Sequence, residues 1–200
     1  MNLPYYEDVK DYPLSKYLES IDKKDLVYKT WKIGDIWDQG PSNGCTGYAA
    51  ALLLESDPKP VKNVPDPEVI FAEARKIDNS PTKTGASIKG ALKALQKLGF
   101  VKSYYMADKI DEILIAVLNL GPVVVGIDFY SGMLKSTNGK MIAAGGVIGS
   151  HAVVVYGVDL EKQEFLVANS HGVEWGVHGT ASVSVDTMNK IFKYGNKKKK

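Results

Sequence analysis

Cysteine is almost missing from this chain: Cys45 is the one among 200 residues. No internal disulfide can form, so packing alone must hold the fold, which suits a reducing compartment and here a cytoplasmic setting. Histidine is nearly as scarce, with His151, His171 and His178 alone. His171 and His178 stand near Glu174 but find no convincing third or fourth ligand, so no metal site is expected. Long apolar runs are missing too. The longest, 122–127 and 152–158, fall far short of the roughly 20 residues a membrane helix needs. Residues 1–11 have no basic region leading into an apolar run, so no secretory signal is expected. Charge is close to balanced at +2, and the closing run Lys197–Lys200 supplies the excess, leaving the body slightly acidic. A short lysine tail reads first as a solvated end; contact with nucleic acid or a membrane surface is the lesser reading, and no specific nucleic-acid partner is expected.

What remains is an ordinary globular composition, 44% apolar and 24% charged, of a length that fits one domain or two small lobes sharing an interface. Residues 1–33, rich in Tyr, Asp and Lys, read as a surface strap with a short helix over 14–21 and a weak extended segment over 27–33. A helix leaves Cys45 and continues through Ala49–Glu55. Pro67 suits the first turn of another over 68–77, and Ser87 can cap a third over 88–98, stopped by Gly99, with Leu92, Leu95 and Leu98 on one face. Residues 100–105 read as a strand crossing between halves, and 110–120 as an apolar helix ended by Gly121-Pro122. Valine-rich strands follow over 123–129, 152–158, 164–169 and 179–185, with a hairpin connection at 159–163. The expected organisation is a strap (1–33), a helical lobe carrying Cys45 (34–108), a β lobe (109–195) and a lysine tail (196–200). This is an α+β fold with a cleft between its lobes.

Cys45 follows the Gly- and Pro-rich stretch Asp38-Gln39-Gly40-Pro41-Ser42-Asn43-Gly44 and opens a helix. Unpaired backbone N–H groups and the helix dipole favour negative charge there, so a thiolate forms more easily than on a free cysteine. Gln39 offers a neutral side-chain donor that can fold back towards the same point. The plainer alternative is a small buried thiol opening a core helix. A nucleophilic thiol needs a base, and His151 heads the most apolar strand of the chain, where it either faces a cleft or is satisfied in the core. Asn169 closes the next strand. An antiparallel hairpin sets the start of one strand beside the end of the other, so the Asn169 amide oxygen can orient the imidazole without adding charge. A thiolate–imidazolium pair could then exist at rest.

Gln39-Gly40, Gly44-Cys45, His151-Ala152-Val153, Asn169-Ser170 and Trp175-Gly176, in that order, resemble the papain-like cysteine peptidases. Gly121-Pro122 before a Val run and the helix between Gly85 and Gly99 fit the same pattern, over roughly residues 30–185. The resemblance implies a two-lobed fold, a helical lobe followed by an antiparallel β-barrel-like lobe. It implies hydrolysis of peptide bonds in a peptide or protein substrate, with no cofactor. Cys45 would be the nucleophile, and its N–H and the Gln39 amide the oxyanion donors. His151 would be the acid and base, oriented by Asn169. Thr84 and Gly85 would offer an edge to the substrate backbone. Gly44, Ser150, Ala152 and Trp175 would also border the substrate, with Val123 near Ser150 and Ala152 in the side-chain pocket; Trp175 is first of all a packing residue.

Three features depart from the pattern. Thr46 replaces the usual aromatic residue after the nucleophile, and His171 stands where relatives place the Trp that shields the Asn–His bond. Flanking paired cysteines are also missing. Together with the short 106-residue spacing from Cys45 to His151, these point to a compact bacterial, archaeal or viral branch. Two other functions stay open: a catalytically weak papain-like binding or structural module, and an amidase or acyl transferase using the same site. The strap could occlude the cleft or bind a partner.

Overall fold

A computed structural model describes residues 13–19, 26–79 and 84–193. The order is α1 (Leu14–Glu19), β1 (Tyr28–Thr30), α2 (Cys45–Glu55), α3 (Pro67–Ile77), α4 (Ile88–Lys97), α5 (Ile110–Asn119), β2 (Val123–Tyr130), β3 (Val147–Asp159), β4 (Glu164–Ala168), β5 (Thr180–Ser184) and α6 (Val185–Ile191). A 3-10 turn, Ser131–Leu134, follows β2.

The helical lobe is built around α2. Small and apolar residues surround this helix on every side rather than forming one stripe, so it must be buried from several directions. Ala50, Ala51 and Leu54 pack on Ile70, Phe71 and Ala74 of α3 and on Ala91, Ala94 and Leu95 of α4. The opposite side, Cys45, Ala49 and Leu52, meets Ala152, Val154 and Ala168 of the sheet. Gly47 permits the close approach of α3: a Cβ there would overlap the Pro67 carbonyl and the Phe71 backbone. The α3 start is fixed by Pro67 and by the Asp66 carboxylate, which accepts from Glu68 N. Ser87 caps α4 by accepting from Gly90 N at 2.8 Å, and Asp78 in turn holds Ser87 through its N–H at 2.6 Å and its hydroxyl at 2.7 Å. Those bonds tie the start of α4 to the end of α3.

The β lobe is one antiparallel sheet with β3 at its centre. Along one edge β3 pairs with β2, from Val123↔Val155 to Tyr130↔Val147, and then with β1 at Gly157–Asp159. Along the other it pairs with β4, which pairs with β5. The pleat sends alternate β3 side chains to opposite faces. Val153 and Val155 enter the β-lobe core with Ile127, Phe165 and Ile191, while Ala152 and Val154 face α2. One strand therefore serves both lobes.

The four long helices and four long strands stand where the sequence places them, within a few residues at their ends. Several expectations need correction. The sheet is open, not barrel-like, because β5 and β2 lie at its far edges. Residues 100–105 form no strand: Phe100 N–H and the Gln96 side chain tie this stretch back to the end of α4, and no neighbouring strand pairs with it. Leu98 points outward at 39% exposed, and Ala91, Ala94 and Leu95 form the buried stripe. The strand expected over 152–158 starts earlier, at Val147, because Phe129 and Tyr130 pair with Gly149 and Val147. The short α6 and the 3-10 turn lacked a periodic signal and were not foreseen. Much of the strap and the whole lysine tail lie outside the described residues.

Candidate active site

Cys45 is the first residue of α2, preceded by Gly44 as the N-cap. The approach is built from short polar contacts. Gly44 N–H donates to Ser42 Oγ at 3.0 Å, Gly40 N–H donates to Asp38 Oδ1 at 2.9 Å, and Gly40 takes a φ of +51°, a left-handed conformation that glycine adopts without strain. The thiol is 2% exposed. Burial pushes its pKa up, against the backbone N–H groups of Ala152, Thr46 and Cys45 itself, which favour the thiolate. Ala152 is the residue after His151, so the thiol contacts the strand position next to the imidazole.

His151 continues the row of Val153 and Val155 on the β-lobe face. Its ring is anchored there among others: Phe129 at 4.7 Å between centroids and His171 at 5.0 Å. Its Nε2 stands 2.6 Å from Asn169 Oδ1. The orientation of that amide follows from a second bond, since Oδ1 also accepts from the Ser170 backbone N–H at 2.9 Å. With the oxygen so fixed, Nε2 must carry the proton, which leaves Nδ1 as the basic nitrogen of the neutral ring. Burial pushes His151 down to about 4, although the Asn169 bond opposes the shift. At rest, then, desolvation favours thiol and neutral imidazole over the charged pair expected from the sequence.

Gln39 is held across the lobes. Its N–H donates to Ser170 O at 2.9 Å, its Oε1 accepts from Ser170 Oγ at 2.6 Å, and its Nε2 donates to Ser42 O at 2.7 Å. One amide hydrogen on Nε2 remains for an oxyanion. The four residues Gln39, Cys45, His151 and Asn169 thus come from three separate stretches onto one seam. A thiol, a base with a fixed tautomer and preset N–H donors can carry out nucleophilic acyl transfer through a tetrahedral intermediate.

The other expected residues scatter more widely. Ala152 lies beneath Cys45. Ser150 accepts from Lys193 Nζ at 2.5 Å, and Lys193 also pairs with Asp128 at 2.6 Å. Trp175 is buried and donates from Nε1 to Met133 O at 3.0 Å, beneath the 170–176 loop. Thr84 is exposed and Gly85 buried at the edge of the helical lobe. A cavity of about 390 Å³ opens between the lobes, lined among others by Leu53, Ile88, Leu92, Tyr104, Val123 and Phe192. No catalytic candidate lines it, but two of its wall residues, Ile88 and Val124, pack on the Cys45 cluster. Val123 lines this cavity, while Ser150 and Ala152, expected beside it in the side-chain pocket, do not; Ile88 and Phe192 reach it through tertiary packing that the sequence pattern does not encode. Among the described residues, no group of His, Cys, Asp and Glu is arranged to hold a metal, and no helix is long and apolar enough to cross a membrane.

This arrangement agrees with what the chain resembles. Residues 78–195 match the model of the papain family cysteine proteases. The chain belongs to that family. A cathepsin B-like cysteine proteinase 5 of Caenorhabditis elegans is 35% identical over 80 residues, which are 38% of this chain and 23% of that protein. The match therefore spans about a quarter of the length of that curated relative. Among solved structures, xylellain, a cysteine protease from Xylella fastidiosa, superposes with a TM-score of 0.76 at 18% identity, covering 94% of this chain and 90% of that one. A Carica candamarcensis cysteine protease in complex with E-64 gives 0.60 at 15% identity, over 79% and 88%. At such identities these two structures establish the papain-like fold.

Proposed function

We propose that the protein is a cysteine peptidase that cleaves peptide bonds through a thioester on Cys45. The observation that carries this reading is the fixed tautomer of His151, which leaves Nδ1 as base beside the strand residue that contacts the thiol. His151 takes the thiol proton as sulfur attacks the scissile carbonyl. The Cys45 N–H and the Gln39 amide bind the resulting oxyanion, and His151 returns the proton to the leaving amine. Water, activated by the same ring, then releases the acyl group and regenerates the thiol. The inter-lobe cavity supports an apolar substrate side chain, since apolar residues line most of it. The lone cysteine supports work in a reducing compartment such as a cytoplasm, within a compact, disulfide-free branch of the family.

Cleavage profiling of the wild type beside Cys45→Ala tests the reading. Peptides should be cut after an apolar residue one position removed from the scissile bond, and Cys45→Ala should abolish cleavage; undiminished hydrolysis by that variant sinks it. One observation favours a second reading, a non-catalytic binding module: the thiol is buried and its pKa raised. Iodoacetamide separates the two, because a working site alkylates faster than a free thiol at neutral pH and a dead one does not.

A further inference from the structure

His171 lies two residues after Asn169 and is unused by the chemistry above. Its backbone forms a bridge with Asp38, and Gly172 N–H donates to Trp37 O at 3.1 Å, so its loop is pinned to the stretch leading to Cys45. Its ring is half-buried, with centroids 5.0 Å from His151, 5.5 Å edge-on to Phe129 and 6.3 Å edge-on to Trp175. Two imidazoles at that distance in a desolvated nest cannot both carry charge freely, and binding of the second proton is weakened by more than about tenfold.

The groups facing His171 can be named from each side. His151 faces it from β3, Phe129 from β2, Trp175 from its own loop, and the Asp38 carboxylate from across the seam. Asp38 favours a proton on His171, while burial, the larger effect, disfavours it. Nearby, Asp128 and Lys193 pair with each other, and Glu174 on the same loop is exposed. His151 is the more buried of the two rings, and a charge on His171 presses its proton affinity further down. The first proton therefore goes to His171.

We propose that His171 is a positioning residue with a proton-dependent effect: neutral, it packs against the ring of the Asn169–His151 pair, and protonated, it drives off the proton that His151 must hold for the leaving amine. The site would carry an acid-side brake of its own. This rests on the peptidase reading for its effect on turnover, but the coupling between the rings does not.

The test uses the full chain as wild type, His171→Phe (neutral ring) and His171→Gln (neutral, no ring). Two profiles are taken from about pH 4 to about pH 8: kcat/KM on a peptide substrate and the rate of Cys45 alkylation by iodoacetamide. The wild-type acid limb should follow the single proton taken up first by His171, and both variants, left with His151 alone, should give a one-proton limb moved to lower pH. At about pH 5 each variant should retain at least roughly threefold more of its own plateau than wild type. The Phe variant should keep a higher plateau than the Gln variant, because it preserves the ring contact. Acid limbs that superpose on the wild type in both readouts overturn the proposal. Shifted alkylation limbs without peptide cleavage uphold the coupling and defeat the peptidase reading, and cleavage with superposed limbs does the reverse. Imidazole NMR of the wild type adds a check free of variants: His151 resonances should respond as His171 titrates, and two independent titrations overturn the coupling.

Discussion

Asn169 Oδ1 accepts two hydrogen bonds at once, from His151 Nε2 at 2.6 Å and from its neighbour's backbone N–H at 2.9 Å. The second bond aims the first. Asn169→Ala removes the acceptor and lets the buried imidazole turn, so kcat/KM should fall roughly 100-fold, within the range that acid–base catalysis contributes. The loss should appear in kcat more than in KM, as steady-state kinetics on a peptide substrate would read it.

Gln39 has a comparable dependence on a partner. Gln39→Ala should lower kcat by about 100- to 1,000-fold if its amide supplies an oxyanion donor. Ser170→Ala leaves Gln39 Oε1 without the hydroxyl that now donates to it, and should destabilise the fold by about 1 kcal/mol with a smaller loss of rate. Equal rate losses in the two variants would show that anchoring, not oxyanion binding, is what Gln39 provides.

Acid should unfold the protein partly through His151. Folded, this ring accepts a proton only near 4, against an ordinary 6.5. Between those values the unfolded chain binds more protons, so this contribution is complete above the ordinary pKa and fades as pH drops towards the folded one. The full effect is about 3 kcal/mol. Urea midpoints measured from about pH 7.5 down to about pH 4.5 should fall, and His151→Gln should flatten that slope.

At the interface of α2 with α3, Gly47→Ala forces a methyl into the Pro67 carbonyl and the Phe71 backbone. The cost should be about 1–3 kcal/mol, typical of overpacking a close contact, and is read as a lowered denaturation midpoint. Because Gly47 lies half a turn past Cys45, the surviving folded fraction should also lose activity.

These sites differ in how far the sequence reveals them. Cys45 at a helix start, His151 heading a valine strand and Asn169 closing the next are local patterns, and the hairpin rule brings the last two together. Pro67 and Ser87 mark helix starts through their own chemistry, and both are found there. Beyond that, local pattern fails for identifiable reasons. The protonation state of the Cys–His pair depends on burial contributed by both lobes, which no motif encodes. Residues 100–105 have the composition of a strand but no neighbour to pair with. The α6 helix is seven residues long, too short for a periodic signature, and it forms because Ser184 caps it and Met188 and Ile191 reach the core.

The pairing of 37–39 with 170–172 has a mechanical consequence. Gln39 N–H to Ser170 O, the Asp38–His171 bridge and Gly172 N–H to Trp37 O stitch the oxyanion side of the site to the base side. Among the described residues, no such backbone bond joins the helical-lobe wall of the apolar cavity, such as Ile88 and Leu92, to its β-lobe wall at Val123 and Phe192. If the lobes part to admit a chain, they should swing like the covers of a book, with the reacting atoms at the spine. Substrate entry would then widen the pocket that reads the side chain while leaving the distances at the thiol nearly unchanged.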